Sequence, residues 1–171
     1  VLRKDFLLDE ADVEVSHRAG ADAVLLIAGM IAPERLESMR RAAGRLEMAA
    51  LVAVHDPADV AEVRKLRPPL VGINARDLST FTTDLVHRLR LRPAIDWPAR
   101  IVFESGILFA EQASPARAAG FAGVLVGEGV VRRPELAARH ACPTALGLAR
   151  ERPVLRVGAL PGRVLLLQRV R

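Results

Sequence analysis

The chain has 171 residues, 51% of them hydrophobic, one cysteine and a formal net charge of +5. This composition provides for one domain with a substantial core and excludes a disordered chain, while the single Cys142 excludes an internal disulfide and a cysteine-based zinc site. The excess charge lies in residues 150–171, which carry six arginines and one glutamate, so residues 1–149 are neutral overall. With 4% aromatic residues and no tyrosine for base stacking, we expect no nucleic-acid partner.

Short apolar runs alternate with amphipathic stretches along the chain. None of the runs reaches the roughly 18 residues of a membrane span, and the first already has the pattern of a strand rather than of a signal peptide. We therefore expect a cytoplasmic protein with no membrane partner. The runs predict six strands, at Val1–Phe6, Ala23–Ala28, Ala50–His55, Leu70–Asn74, Arg100–Glu104 and Gly123–Gly127.

Helix signals fill the gaps between the predicted strands. Pro33 suits the first turn of a helix that runs to about Glu47, and Asp56 can cap a helix that begins at Pro57. Two further helices are predicted over residues 84–91 and 111–119. Gly20 and Gly120 follow predicted helices and are expected to be their C-caps. Strands that alternate with helices indicate a parallel sheet covered on both faces.

The predicted fold class is α/β, of the (β/α)8 TIM-barrel type, truncated to about six βα units within residues 1–142. Residues 143–171 are predicted to be a basic, proline- and glycine-containing tail outside the barrel, in which Val164–Leu167 has the pattern of a strand. The tail has the charge to bind anionic surfaces, but a solvated tail is favoured over that role. An incomplete barrel exposes a sheet edge, which predicts self-association.

Polar residues follow the predicted strands at their C-terminal ends, where parallel barrels place their active sites. Lys4 lies near the C-terminal end of the first predicted strand, and it is one of only two lysines beside 23 arginines. Lysine can deliver a proton near neutral pH when it is partly desolvated, whereas arginine cannot. A lysine that only forms a salt bridge at the strand end is the alternative.

Glycines after the fifth and sixth strands predict a phosphate site, because barrels commonly bind phosphate there through backbone N–H groups. They occur as Ser105-Gly106 and Gly127-Glu128-Gly129, with ordinary turns as the alternative. Nearby, Glu104 has the chemistry of an acid or base, Asn74 that of a hydrogen-bond donor and Arg76 that of a carboxylate ligand. Loop capping is the alternative for each. His55 has no metal-ligand spacing, so neither a metal nor another cofactor is expected.

Five segments resemble, in order, the third, fourth, sixth, seventh and eighth strands of indole-3-glycerol-phosphate synthases. The third-strand match is Val1-Leu2-Arg3-Lys4-Asp5-Phe6, and the sixth-strand match is Gly72-Ile73-Asn74-Ala75-Arg76-Asp77-Leu78. The other three are Ala21–Ile27, Glu104–Ile107 and Val124–Glu128. The resemblance covers residues 1 to about 140.

The resemblance implies a carboxy-lyase that closes the indole ring of 1-(2-carboxyphenylamino)-1-deoxyribulose 5-phosphate in tryptophan biosynthesis. This phosphorylated small molecule would be the partner. Lys4 matches the family's general acid, and the other matching polar positions are Asn74, Glu104 and Ser105. Positions matching those around the anthranilate ring and carboxylate are Phe6, Leu25, Arg76 and Leu78. The positions that match the phosphate loops are Gly106, Gly127 and Glu128.

Two departures from the family pattern predict impaired activity in this chain alone. The fifth strand of the family has the sequence Leu-Val-Glu-Val-His-Asp. At the position of its glutamate, this chain has Ala53. The first two βα units of the family are also not present in these 171 residues, and with them a glutamate and a lysine of the first strand. A non-catalytic relic or phosphate-binding module of the same fold is the alternative function.

Overall fold

The computed structural model describes residues 1–75, 89–106, 113–126, 158–160 and 163–169. Within these residues, six parallel strands form a curled half-barrel with helices between them, as the sequence predicts. Two further strands extend the sheet, whose strand order is β1-β2-β3-β4-β5-β6-β8-β7. The strands are β1 (Leu2–Arg3), β2 (Ala23–Ile27), β3 (Ala49–Val54), β4 (Leu70–Asn74), β5 (Arg100–Glu104), β6 (Gly123–Val126), β7 (Gly158–Leu160) and β8 (Arg163–Arg169).

The first strand differs most from its prediction. The apolar run predicts a strand over Val1–Phe6, whereas β1 pairs with β2 only at Leu2 and Arg3. The chain leaves the sheet at Lys4, and the guanidinium of Arg3 turns to helix α1 (Glu10–Arg18), where it donates to the Ser16 hydroxyl at 3.0 Å. Arg3 is therefore used to attach the first helix to the sheet.

Four α-helices are described: α1, α2 (Pro33–Arg45), α3 (Pro57–Arg64) and α4 (Ala113–Ala118). Helix α1 is capped by Asp9, whose side chain accepts from the N–H of Asp12. Helix α3 begins as predicted, with Asp56 as the cap and Pro57 in the first turn. Gly20 ends the turn after α1 with φ of +81°, a conformation that an L side chain rarely adopts. None of the helices in the described ranges is long and apolar enough to cross a membrane.

Side chains alternate between the two faces of the sheet and form two apolar clusters. The outer face packs against the helices and includes Leu26, Val52, Ile73 and Phe103. Phe103 stands edge-on to Phe121, with ring centroids 5.3 Å apart. The inner face is a smaller buried cluster made of Leu2, Ala23, Leu25, Ile27, Leu51, Ala53, Val102 and Leu125.

The C-terminal strands lie at the opposite end of the sheet from β1. Strand β8 contains the predicted strand Val164–Leu167 and pairs with β6 in the antiparallel sense, with Leu125 opposite Leu167. Strand β7 pairs in turn with β8. The barrel boundary after residue 142 stays a prediction, because residues 127–157 lie outside the described part of the chain.

Candidate active site

A row of polar side chains crosses the inner face at the C-terminal ends of three neighbouring strands. Strand register places Asn74 of β4 directly opposite Glu104 of β5. Val54 is opposite Ile73, so His55, which follows β3, is next to Asn74 on its other side. Lys4 reaches the same row from the end of β1, with its ammonium 3.9 Å from Glu104 Oε2. The fold thus brings together residues that are separated by up to 100 positions in the sequence.

Glu104 is fully buried, and neither of its carboxyl oxygens has a hydrogen-bond partner within the described structure. Burial raises the pKa of this carboxyl group above its ordinary value, although the charges of Lys4 and His55 oppose the shift. The protonated form is therefore favoured beyond the usual range for glutamate. A carboxyl group that exchanges its proton at a higher pH and lies beside an ammonium has the chemistry of an acid–base group.

Gly72 makes room for this carboxyl group. A Cβ atom at position 72 would lie 1.7 Å from Glu104 Oε1, so the Glu104 side chain occupies the space above the Gly72 backbone. The strand register puts Ala53 of β3 opposite Gly72. Two consecutive strands therefore carry the smallest side chains where Glu104 lies. This explains how a glutamate fits within an otherwise apolar inner face.

The backbone changes direction just after Glu104. Ser105 and Gly106 both have left-handed conformations, with φ of +68° and +74°. Such a conformation is unfavourable for a serine and is seen most often at turns and functional sites. The turn is held by the Ser105 N–H, which donates to the Leu125 carbonyl at 3.3 Å, and the Glu104 carbonyl, which accepts from Ala75 at 2.8 Å. Ser105 and Gly106 therefore form a turn that is fixed to both neighbouring strands.

His55 lies between Asn74 and Asp59, a position that its sequence pattern does not predict. His55 Nε2 is 3.1 Å from Asn74 Nδ2, and its Nδ1 is 3.4 Å from Asp59 Oδ2. Burial raises the pKa of Asp59, but hydrogen bonds from the ring and backbone of His55 outweigh it, so the pKa lies below its ordinary value. The available signal was a histidine at a strand end, four residues before an aspartate in the first turn of a helix.

The remaining predicted site residues are only partly described. Phe6 is 62% exposed beyond the end of β1, whereas Leu25 is buried in the inner face. Four predicted positions lie outside the described residues, namely Arg76, Leu78, Gly127 and Glu128. Within the described ranges, no group of three or more His, Cys, Asp or Glu side chains could hold a metal ion.

Comparison with known proteins gives consistent matches. A family model described as indole-3-glycerol phosphate synthase matches residues 1–141. The indole-3-glycerol phosphate synthase of Acidithiobacillus ferrooxidans is 44% identical over 132 residues, which cover 77% of this chain and 50% of that protein. Those of Rhodopirellula baltica and Paracidovorax citrulli are 41% and 43% identical, over 80% and 79% of this chain and 52% and 51% of their own lengths. The chain spans about half the length of the curated relatives it matches.

Proposed function

The chain belongs to the indole-3-glycerol phosphate synthase family, and from that premise we propose that its site serves ring closure and decarboxylation of 1-(2-carboxyphenylamino)-1-deoxyribulose 5-phosphate. The observation that carries the proposal is the Lys4 ammonium 3.9 Å from the buried Glu104 carboxyl group, at the end of the inner face. The substrate is a phosphorylated small molecule, and the compartment is the cytoplasm. Because the chain spans about half of its relatives, the activity is proposed for the site rather than for these 171 residues in isolation.

Lys4 is proposed as the general acid of ring closure. As the aromatic carbon attacks the substrate's ketone carbon, the carbonyl oxygen gains negative charge, and the Lys4 ammonium delivers a proton to it. Loss of carbon dioxide from the ring carbon and loss of water then restore aromaticity and give indole-3-glycerol phosphate. The Glu104 carboxyl group lies beside the ammonium, and in its protonated form it can supply a proton in the loss of water.

The other site residues are proposed to hold the substrate. Asn74 and Ser105 serve as hydrogen-bonding groups next to the reacting carbons. The phosphate is assigned to the backbone of Gly106, Gly127 and Glu128, and the turn at Ser105 and Gly106 supports that assignment because it is fixed to β4 and β6. The anthranilate ring and its carboxylate are assigned to Phe6, Leu25, Arg76 and Leu78.

A second candidate, a non-catalytic phosphate-binding relic, is favoured by one specific observation. Ala53 is fully buried in the inner face and leaves no carboxylate where the family has a glutamate. Losing one positioned acid–base group typically costs about 10²–10⁴-fold in rate. We therefore expect little turnover by this chain alone. Ala53→Glu should restore little, because the new carboxylate would lie opposite Gly72, over which the Glu104 carboxyl group already sits, and like charges oppose each other's ionisation.

The test is a turnover assay followed by indole fluorescence, with the first two βα units of a relative supplied to the chain. We expect Lys4→Ala to lower the rate about 10²–10⁴-fold. Lys65→Ala is the matched control, because Lys65 is the chain's other lysine, lies at the end of α3 and, among the described residues, forms an ion pair only with Glu62. Equal rates for the Lys4 and Lys65 variants would reject the assigned role. Sugar-phosphate binding without turnover in the completed barrel would instead support the relic.

A further inference from the structure

The guanidinium group of Arg3 joins the end of β1 to helix α1. Its Nη1 donates to the Ser16 hydroxyl at 3.0 Å and to the Asp12 carbonyl oxygen at 3.3 Å, and its Nη2 lies 3.7 Å from Asp5 Oδ2. Ser16 is fully buried and donates its own hydroxyl to the same Asp12 carbonyl at 2.6 Å. One planar fork of donors therefore holds the helix and, two residues further along the chain, the carboxylate of Asp5.

The segment after β1 is held in place by side chains. The backbone ladder between β1 and β2 ends at Arg3. Beyond it, the N–H of Phe6 donates to the Asp5 carboxylate at 3.1 Å. The N–H of Leu8 donates at 2.8 Å to the carboxylate of Asp12, which lies in the first turn of α1. The segment is thus tied to α1 at its start through Arg3 and at its end through Asp12.

Lys4 lies within this segment, between the two residues that the fork joins. Neighbouring side chains of an extended segment point to opposite sides, so Arg3 and Asp5 on the helix side leave the inner side of the sheet to Lys4. Its ammonium lies there, 3.9 Å from Glu104 Oε2. A lysine carries its charge on a long, flexible stem, so the reach of the ammonium depends on where the backbone at position 4 is held. The contacts of Arg3 therefore bear on the geometry at Glu104.

We propose that Arg3 is a positioning residue, which holds Lys4 toward Glu104 by fixing the end of β1 to α1 and to Asp5. Arg3 acts through Lys4, because its guanidinium group contacts the helix on the other side of the sheet. The consequence for catalysis rests on the proposed function, since a general acid must be held within reach of the oxygen that it protonates. The alternative, in which Arg3 only ties α1 to the sheet, predicts a loss of stability with no change at Lys4.

The first experiment measures the order of the Lys4 side chain in the full chain without substrate. Because the chain has two lysines, labelling with ¹³C-lysine gives two Cε signals, and Lys65 serves as an internal reference. In the unmodified chain, NMR relaxation should show that Lys4, 35% exposed, is more ordered than Lys65, 69% exposed. Arg3→Gln should remove at least about half of that excess order. Arg18→Gln is the matched control, because Arg18 is an exposed arginine in the last turn of α1, and it should leave Lys4 unchanged.

The second experiment measures turnover in the barrel completed with the first two βα units of a relative. Arg3→Gln should lower kcat about 10–100-fold, because a small misplacement of a catalytic group has effects of this size. KM should change by less than about threefold, because the groups assigned to substrate binding are retained. Arg3→Lys keeps the charge without the planar fork and should recover part of the loss. Arg18→Gln should leave both constants unchanged.

Three outcomes would each overturn the proposal: a Lys4 side chain as mobile as Lys65 in the unmodified chain, unchanged order of Lys4 in Arg3→Gln, or a raised KM with kcat unchanged. If Arg3→Gln fails to fold, Ser16→Ala decides in its place. It removes an acceptor of Arg3 while keeping a residue that favours helix, and it should lower the order of Lys4 in the same direction. Failure of the proposed function would be seen separately, as turnover that is absent or indifferent to Lys4→Ala in the completed barrel, and the lysine measurements then decide alone.

Discussion

The two faces of the sheet are built from the same strands but differ in composition and in what they contact. The outer face packs against helices and, among the described residues, is largely apolar, with Arg3 of β1 donating to Ser16 of α1. The inner face is a smaller apolar cluster that ends in the polar row of His55, Asn74 and Glu104. One face therefore contributes mainly to stability, whereas the other gives up some stability to keep a carboxyl group away from water. Because successive side chains of a strand point to opposite faces, one sheet can carry a packed apolar core on one face and polar site residues on the other.

The largest expected effect tests the packing side of this comparison. Leu26 and Leu51 are fully buried leucines on neighbouring strands, the first on the outer face and the second on the inner face. We expect Leu26→Ala to lower the free energy of unfolding by about 4–5 kcal/mol and Leu51→Ala by about 2–3 kcal/mol, because the cost grows with the cavity that remains. Urea unfolding of both variants measures the difference. Equal losses would show that the faces are equally packed.

A smaller effect on the free energy of unfolding is expected at Gly72, over which the Glu104 side chain lies. Gly72→Ala places a Cβ atom 1.7 Å from Glu104 Oε1, so the carboxyl group must move, at a cost of about 1–3 kcal/mol in the free energy of unfolding. Gly44→Ala is the control, because that helical glycine has open space around it and the change should stabilise α2 by about 0.5–1 kcal/mol. Thermal unfolding of the two variants should move in opposite directions, and a neutral Gly72→Ala would contradict the close approach.

The ionisation of Glu104 gives a prediction about pH. Its pKa is raised in the folded chain, so the folded state holds the proton more tightly than the unfolded state does. The contribution of Glu104 to stability is complete below its ordinary pKa of 4.5 and is lost as pH rises through the folded pKa. Glu104→Gln removes this dependence, so the variant should gain stability relative to the unmodified chain as pH rises above 4.5. A difference that stays constant from pH 4 to 8 would contradict it.

The smallest expected effect on the free energy of unfolding concerns the ion pairs of helix α2. Glu37 of α2 is paired with Arg40 and Arg41 at 2.7 Å each, and the hydrogen bond from Arg40 leads the causes that lower its pKa to about 2, against the opposing effect of burial. Its contribution is present above pH 4.5 and is lost as pH falls toward 2. Glu37→Gln should cost under about 1 kcal/mol at neutral pH, and less in high salt. Denaturant curves at two ionic strengths measure this, and a salt-independent loss would contradict an electrostatic origin.

The sequence predicted those features that depend on local patterns. Strands β4 and β5 have the predicted bounds, and helix α3 begins at the predicted cap, because apolar runs and an Asp-Pro pair are local signals. The early end of β1 was not predictable, since hydropathy does not reveal where the ladder of backbone hydrogen bonds stops.

Within the site, the sequence placed Lys4, Asn74 and Glu104 at strand ends, but it did not give their order across the sheet. Strand register relates residues about 30 positions apart. It sets Asn74 opposite Glu104 and brings the Glu104 side chain over Gly72. His55 lacks the spacing of a metal ligand, and the sequence therefore predicts no role for it. Its partners are an amide on the next strand and a carboxylate in the next helix, and no pattern within one element connects them.

Strand β8 has a consequence for the assembly of a complete barrel. It pairs antiparallel with β6 over four residue pairs, from Gly123–Arg169 to Val126–Leu166, while β5 occupies the opposite edge of β6. Both edges of β6 are therefore paired with other strands. Any βα unit that closes the barrel at this position must first displace β8, so closure becomes a strand-exchange reaction between two competing segments. The rate of closure would then depend on how readily β8 detaches.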